Sequence, residues 1–169
     1  MIKQSIKKLL KLFSYEIKKI HELNDLTFSS EEKNNFEYYY KLCERESLNV
    51  SKQRFLSLYQ SVNYIYKNNI SGDFVECGVF RGGSAMMMAY AMQEFDLNKK
   101  KNKKLWLYDT FEGMANPSEH DENILSQKAI SQLKKIKKEE NKKDIWAFSS
   151  IDYVDQNIVK TGMARENIV

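Results

Sequence analysis

The sequence predicts an α/β fold with a parallel sheet, and three observations carry that reading. Asp73-Phe74-Val75-Glu76-Cys77 is a short apolar run bounded by turn residues, the pattern of a buried strand. Ser84–Phe95 is dense in Ala and Met, both good helix formers. Leu105-Trp106-Leu107-Tyr108-Asp109 is a second short apolar run, reached through a lysine-rich connector. Strand, helix and strand over 73–109 make one crossover unit, and such units are right-handed.

The other elements follow from periodicity and caps. Ile2, Ile6, Leu9, Leu10, Phe13, Ile17 and Ile20 recur at steps of three or four, so residues 2–23 read as an amphipathic helix with lysines over much of its remaining surface. Such a helix docks on its own domain or on a second subunit, or lies on an anionic membrane surface. Residues 24–35 are polar, with Ser29 or Ser30 placed to cap a helix whose first turn holds Glu31 and Glu32. The aromatics of 36–46 suit packing. Ser51 starts a helix over 51–68, with Phe55, Leu58, Tyr59, Val62, Ile65 and Tyr66 as its apolar stripe. Residues 110–120 form a loop with Gly113 and the single proline, Pro117. A solvent-rich helix is expected over 122–143 and another over 151–161, ending at Gly162. Asn167-Ile168-Val169 reads as the start of a further strand.

With 169 residues, the chain is long enough for one domain with a real core. Its 42% hydrophobic and 30% charged residues exclude a disordered tail. The net charge is +4, with lysine runs at Lys3–Lys19, Lys99–Lys104 and Lys134–Lys143. These runs lie far apart and hold few aromatics, so they read as solvated faces, not as a nucleic-acid surface. Two cysteines, Cys43 and Cys77, show no disulfide or zinc spacing and fit a cytoplasmic location. No apolar run is long enough to span a bilayer, and no signal peptide is expected.

The chemistry concentrates in Glu76-Cys77-Gly78-Val79-Phe80-Arg81-Gly82-Gly83-Ser84, a turn after a strand and before a helix. Glycines let backbone turn tightly and approach a ligand closely. The helix start behind them offers N–H groups and a positive dipole end. The spacing of Gly78, Gly82 and Gly83 is not that of a dinucleotide fingerprint, and no Gly-Lys-Ser/Thr makes a phosphate loop. The acid at Glu76 would repel phosphate but can pair with an ammonium. S-Adenosylmethionine carries an amino-acid end and no phosphate. Asp109, ending the second strand, suits the two hydroxyls of an adenosyl ribose. As a structural alternative, Glu76 is a salt-bridged strand-end acid. Other chemistry-bearing residues read as structural. His21 and His120 are surface residues, Glu119, Asp121 and Glu122 a solvated loop, Met86–Met88 helix core, and Cys77 packing, not a nucleophile.

Gly72–Ser84, followed by Asp109-Thr110-Phe111-Glu112-Gly113-Met114 and Pro117, closely resembles the TylF/MycF group of macrocin-type O-methyltransferases, as does Arg54–Val62 before them. The resemblance runs from about residue 48 to 169. It implies a Rossmann-like, three-layer fold that transfers a methyl group from S-adenosylmethionine to a hydroxyl of an antibiotic or surface-polysaccharide sugar. By that resemblance Glu76, Cys77, Gly78, Val79, Gly82, Gly83 and Ser84 hold the methionine part. Asp109 binds ribose, Thr110, Phe111, Glu112 and Gly113 lie beside the adenosine, and Ser150 lies near the adenine. Arg81 reaches either a ligand carboxylate or a neighbouring surface acid.

The family pattern also departs from this chain. Its members are longer, and their later strands carry aspartates that bind a divalent metal, expected to be Mg, together with a base for the acceptor hydroxyl. No equivalent is found here. The sequence therefore predicts residues 1–50 as an N-terminal helical segment. It predicts residues 51–169 as the N-terminal half of a methyltransferase domain, incomplete at its C-terminus. The alternative is a catalytically inactive cofactor-binding or interaction fragment, either homo-oligomeric or paired with a missing C-terminal half. A nicotinamide-binding fold is a third reading, opposed by the glycine spacing and by Glu76.

Overall fold

The computed structural model describes residues 28–48, 50–96, 103–123, 126–133 and 146–169. The helix expected over 2–23 lies outside these residues, as does the stretch 134–143 of the helix expected from 122. The chain divides into two compact units, residues 1–34 and 35–169. Helix α1 spans Ser30–Cys43. Ser29 caps it reciprocally with Glu32: the Glu32 N–H donates to Ser29 Oγ at 3.1 Å, and the Ser29 N–H to Glu32 Oε2 at 2.7 Å.

Helix α2 runs Lys52–Lys67, capped by Ser51 as its sequence predicts. Its expected stripe is largely buried, through Phe55, Tyr59, Val62 and Tyr66. That stripe packs on helix α3, Gly83–Phe95, whose Ala and Met residues bury seven side chains from Ala85 to Met92. Met86–Met88 are core, as expected.

Strands β1 (Phe74–Cys77) and β2 (Leu105–Tyr108) pair in parallel, with Phe74 opposite Leu105 and Cys77 opposite Tyr108. Asp73 sets this register at its entrance. Its Oδ1 accepts from the Lys104 N–H at 3.0 Å and its Oδ2 from the Trp106 indole at 2.9 Å. Buried Lys103 donates to the carbonyls of Ile70 and Gly72 beneath β1. Ile168 bridges Leu105 in parallel, and the Leu107 N–H donates to Val169 O at 2.8 Å. A short 3-10 turn, Arg165–Asn167, precedes that pairing, so extended structure begins at Ile168, not at Asn167.

The sheet thus grows in one direction, from β1 through β2 to residues 168–169. Right-handed crossovers taken in one direction place their helices on one face. Helix α3 and the later helix Ile151–Val159 do pack together. Phe74 and Leu105 point into that face and are buried, whereas Val75, Cys77 and Tyr108 alternate to the other face and are exposed. Cys77 is therefore not the packing residue its strand position suggested.

The segment 122–143 also departs from expectation at its start. Glu122 and Lys128 form an antiparallel bridge, and Ser126 has a left-handed φ of 55° that no α-helix admits. Asn123 Oδ1 accepts from the Gln127 N–H at 3.1 Å and closes this turn, a local side-chain bond that competes with helix. Helix α4 is confined to Ala129–Leu133 among the described residues. The helix Ile151–Val159, here α5, ends before Gly162, which takes φ 75°.

Gly83 is where packing leaves least room. A Cβ there would meet Ser47 Oγ, the Cys43 carbonyl oxygen at 2.7 Å and the Glu46 carbonyl carbon at 2.8 Å. Gly83→Ala is expected to cost about 1–3 kcal/mol, the scale of overpacking against backbone. Urea unfolding checks it, and an unchanged midpoint would contradict this close approach.

Candidate functional site

The glycine turn leaves β1 at Cys77 and enters α3 at Gly83. Gly78 and Gly82 hold φ of 89° and 87°, which L side chains rarely adopt. The turn is tied to β2 by the Gly78 N–H, 2.8 Å from Tyr108 O, and closed on itself by the Gly82 N–H, 2.9 Å from Val79 O. A side chain at Gly78 would meet nothing within 4 Å, so the backbone there borders open space. From beneath, buried Asn157 of α5 donates its Nδ2 to Arg81 O at 3.0 Å. Asn157 supports the turn, yet the sequence gives no cue to it, because the contact joins residues 76 positions apart.

Glu76 shares the helix-covered face of β1. Its Oε2 is buried with no hydrogen-bond partner. Burial, with the Asp109 charge as a second cause, pushes its carboxyl up to about 7. Beside it, between α2, β1 and the start of α3, is a cleft of about 570 Å³ lined by Arg54, Ser57, Leu58, Glu76, Cys77 and Ser84 among others. A half-buried acid with one buried oxygen left unpartnered, next to open space, is suited to a cationic group.

Asp109 follows β2 directly and reaches back to the turn. Its Oδ2 accepts from the Val79 N–H at 2.7 Å and the Phe80 N–H at 3.1 Å, and its Oδ1 accepts from the Phe111 N–H at 3.0 Å. Burial alone would raise its carboxyl, but bonds from the Phe111, Phe80, Val79 and Thr110 backbone hold it below the usual carboxylate range.

The structure gathers Glu76–Ser84 and Asp109–Gly113 at the same end of the sheet. Val79 and Gly82 are buried, and Ser84 is half-buried. Arg81 lies with its guanidinium 5.1 Å from the Phe80 ring centroid. The Glu112 N–H donates to Thr110 Oγ1 at 3.3 Å, and both residues are exposed. Gly113 (φ 73°) and the Met114 N–H, 2.8 Å from Trp146 O, pin that loop to the chain entering α5. Ser150 is exposed and caps α5, accepting from the Tyr153 N–H at 3.3 Å. Its neighbour Ser149 is buried with an unpartnered hydroxyl, a polar group the sequence did not single out. His120 is exposed beside Glu119. Among the described residues no group of three His, Cys, Asp or Glu side chains could hold a metal ion, and no helix is long and apolar enough to cross a membrane.

Comparison with known proteins agrees with this architecture. The chain is 30% identical over 70 residues to demethyldecarbamoylnovobiocin O-methyltransferase of Streptomyces niveus, a match covering 41% of this chain and 26% of that protein. A solved structure, that of the O-methyltransferase NovP, superposes with a TM-score of 0.56 at 17% identity, over 81% of this chain and 62% of that one. This likeness shows the fold: helices and a small parallel sheet arranged as in part of NovP. In both comparisons the chain spans less than two thirds of its relative. Residues 44–163, more than half of the chain, match the family described as Macrocin-O-methyltransferase (TylF). The chain belongs to that family.

Proposed function

We propose that this chain binds S-adenosylmethionine at the C-terminal ends of β1 and β2, within a Rossmann-like methyltransferase domain that methylates a sugar hydroxyl. On this reading residues 1–50 are an N-terminal helical segment, and residues 51–169 supply the cofactor-binding half. The single observation that supports the ligand is Glu76 Oε2, buried and unpartnered beside a glycine turn. A buried carboxylate in that state is costly, and an α-ammonium would satisfy it. The open space at Gly78 leaves room for the amino-acid end.

The remaining roles follow from position. The turn through Ser84 would hold the methionine part against the start of α3, where backbone N–H groups suit its carboxylate. Asp109 already accepts from backbone N–H groups of both loops, and a ribose hydroxyl would join them as a further donor to its carboxylate. Thr110–Gly113 would border the adenosine, and Ser150 the adenine. When bound, S-adenosylmethionine supplies an electrophilic methyl group on its sulfonium. This chain's residues bind and orient that ligand. The described residues do not form a site for Mg, so no step is assigned to a metal.

Titration calorimetry with S-adenosylhomocysteine tests the reading. A saturable heat is expected, with a stability gain of about 2.7 kcal/mol once ligand reaches a hundredfold over Kd. NAD should give neither. A folded sample that shows no heat and no thermal shift at millimolar S-adenosylhomocysteine would overturn it. Transfer of a labelled methyl group to a sugar hydroxyl tests the acceptor separately.

A further inference from the structure

Five non-glycine residues among those described have left-handed backbone, and two of them flank the site: Phe80 (φ 53°) and Phe111 (φ 54°). Bulky side chains rarely adopt that conformation, and it persists where the surroundings over-determine it. Both residues donate their backbone N–H to the same side chain. Phe80 bonds to Asp109 Oδ2 at 3.1 Å and Phe111 to Asp109 Oδ1 at 3.0 Å, while the Val79 N–H joins Oδ2 at 2.7 Å. One carboxylate therefore ends donors from two loops, the one after β1 and the one after β2.

Among the bonds described, the other ties of each loop run to its own element, to the neighbouring strand or to the α5 region, and that of Asn157 to Arg81 O is one of them. Beyond Asp109, the turn is linked to β2 by the Gly78–Tyr108 bond at its base. The 110–114 loop is held on its far side by Trp146 O. A residue at 109 with only one acceptor oxygen would leave the N–H groups of at least one loop short of an acceptor, and the left-handed phenylalanine of that loop without its restraint.

We infer that Asp109 is a positioning residue, a clamp that shapes the whole cradle, including the end that faces the methionine part, as well as the ribose end. This rests on the S-adenosylmethionine reading for its ligand consequences and on geometry alone for the clamp. A residue acting only on ribose hydroxyls affects only ligands that carry them. A clamp affects every ligand that uses the turn.

Two ligands separate these roles: S-adenosylhomocysteine and its 2′,3′-dideoxy analogue, which lacks both ribose hydroxyls. Asp109→Asn keeps the size of the side chain but replaces one acceptor oxygen with an NH2 donor. The clamp predicts that this variant weakens both ligands by a similar factor, tenfold or more. It also predicts that the amides of at least one loop, Val79 and Phe80 or Phe111, exchange at least tenfold faster with solvent in the ligand-free variant, while core amides of α2 and α3 do not. Loss of S-adenosylhomocysteine affinity with unchanged affinity for the dideoxy analogue would overturn the clamp, as would unaltered exchange at the three amides. Should Asp109→Asn fail to fold, the native protein still decides. Through-bond couplings from the Val79, Phe80 and Phe111 amide nitrogens to the Asp109 carboxyl carbon are expected, and their absence overturns the proposal. Should the native protein bind neither ligand, the cofactor reading fails, while the exchange and coupling results still judge the clamp.

Discussion

Glu76→Gln is expected to stabilise the ligand-free protein at pH 8 by about 2–3 kcal/mol and to weaken S-adenosylhomocysteine by tenfold or more. The fold holds the Glu76 carboxyl at about 7, against an ordinary value of 4.5, chiefly because it is buried and secondly because Asp109 is near. The folded chain therefore binds more protons than the unfolded chain between those two values. Stability must fall as pH rises through that window and carry the full penalty above about pH 7. A shift of this size corresponds to about 3 kcal/mol, an upper figure because a buried amide also needs partners. Glutamine does not titrate, so the variant should lack that slope. Urea unfolding of both proteins at pH 5 and pH 8 measures it. Equal stability differences at the two pH values would mean that Glu76 is not held in a costly buried state.

Tyr59→Ala is expected to remove about 3–5 kcal/mol, and Tyr59→Phe about 1.5–3 kcal/mol. The ring is fully buried where α1, α2 and α3 meet, with centroids 5.6 Å from Phe36 and 5.0 Å from Phe95. Its hydroxyl donates to Glu94 Oε1 at 2.8 Å, and Asn35 Nδ2 joins the same oxygen at 3.0 Å. Removing the hydroxyl withdraws a donor from a carboxylate in a part-buried setting. Removing the ring adds a cavity in the packing that seats α3 behind the glycine turn. Denaturant midpoints give both numbers. A loss below about 1 kcal/mol for Tyr59→Ala would contradict the place given to this residue in the core.

Much of the fold was legible because short-range patterns encode it. Phe74–Cys77 is a short apolar run between turn residues, and the stripe of α2 has helical spacing. The Ser51 cap and the Ser29 cap are local bonds between residues three apart. The candidate site was legible as residue types: an acid, glycines at positive φ, and a second acid after the next strand. What escaped the sequence depends on long-range geometry. The partners of Asp109 are backbone donors whose positions exist only once the turn is folded. Asn157 reaches Arg81 across 76 positions, and Glu94 reaches Asn35 across 59 and Tyr59 across 35. A short apolar strand suggests two covered faces and so a buried Cys77, whereas the described helices cover one. The sequence around 122–128 carries a charge pattern compatible with helix, whereas the Asn123–Gln127 pairing and the Glu122–Lys128 bridge close a turn there.

On the proposed reading, the Glu76 carboxylate receives the ammonium of an adenosyl amino acid. The titration of S-adenosylhomocysteine at pH 7, run in two buffers of different ionisation enthalpy, tests it most directly. With its carboxyl pushed up to about 7, Glu76 is partly protonated before binding, and an ammonium favours the charged form. Release of a fraction of a proton per ligand bound is expected for the native protein, and none for Glu76→Gln. Binding that releases no proton, or the same release in both proteins, would contradict it.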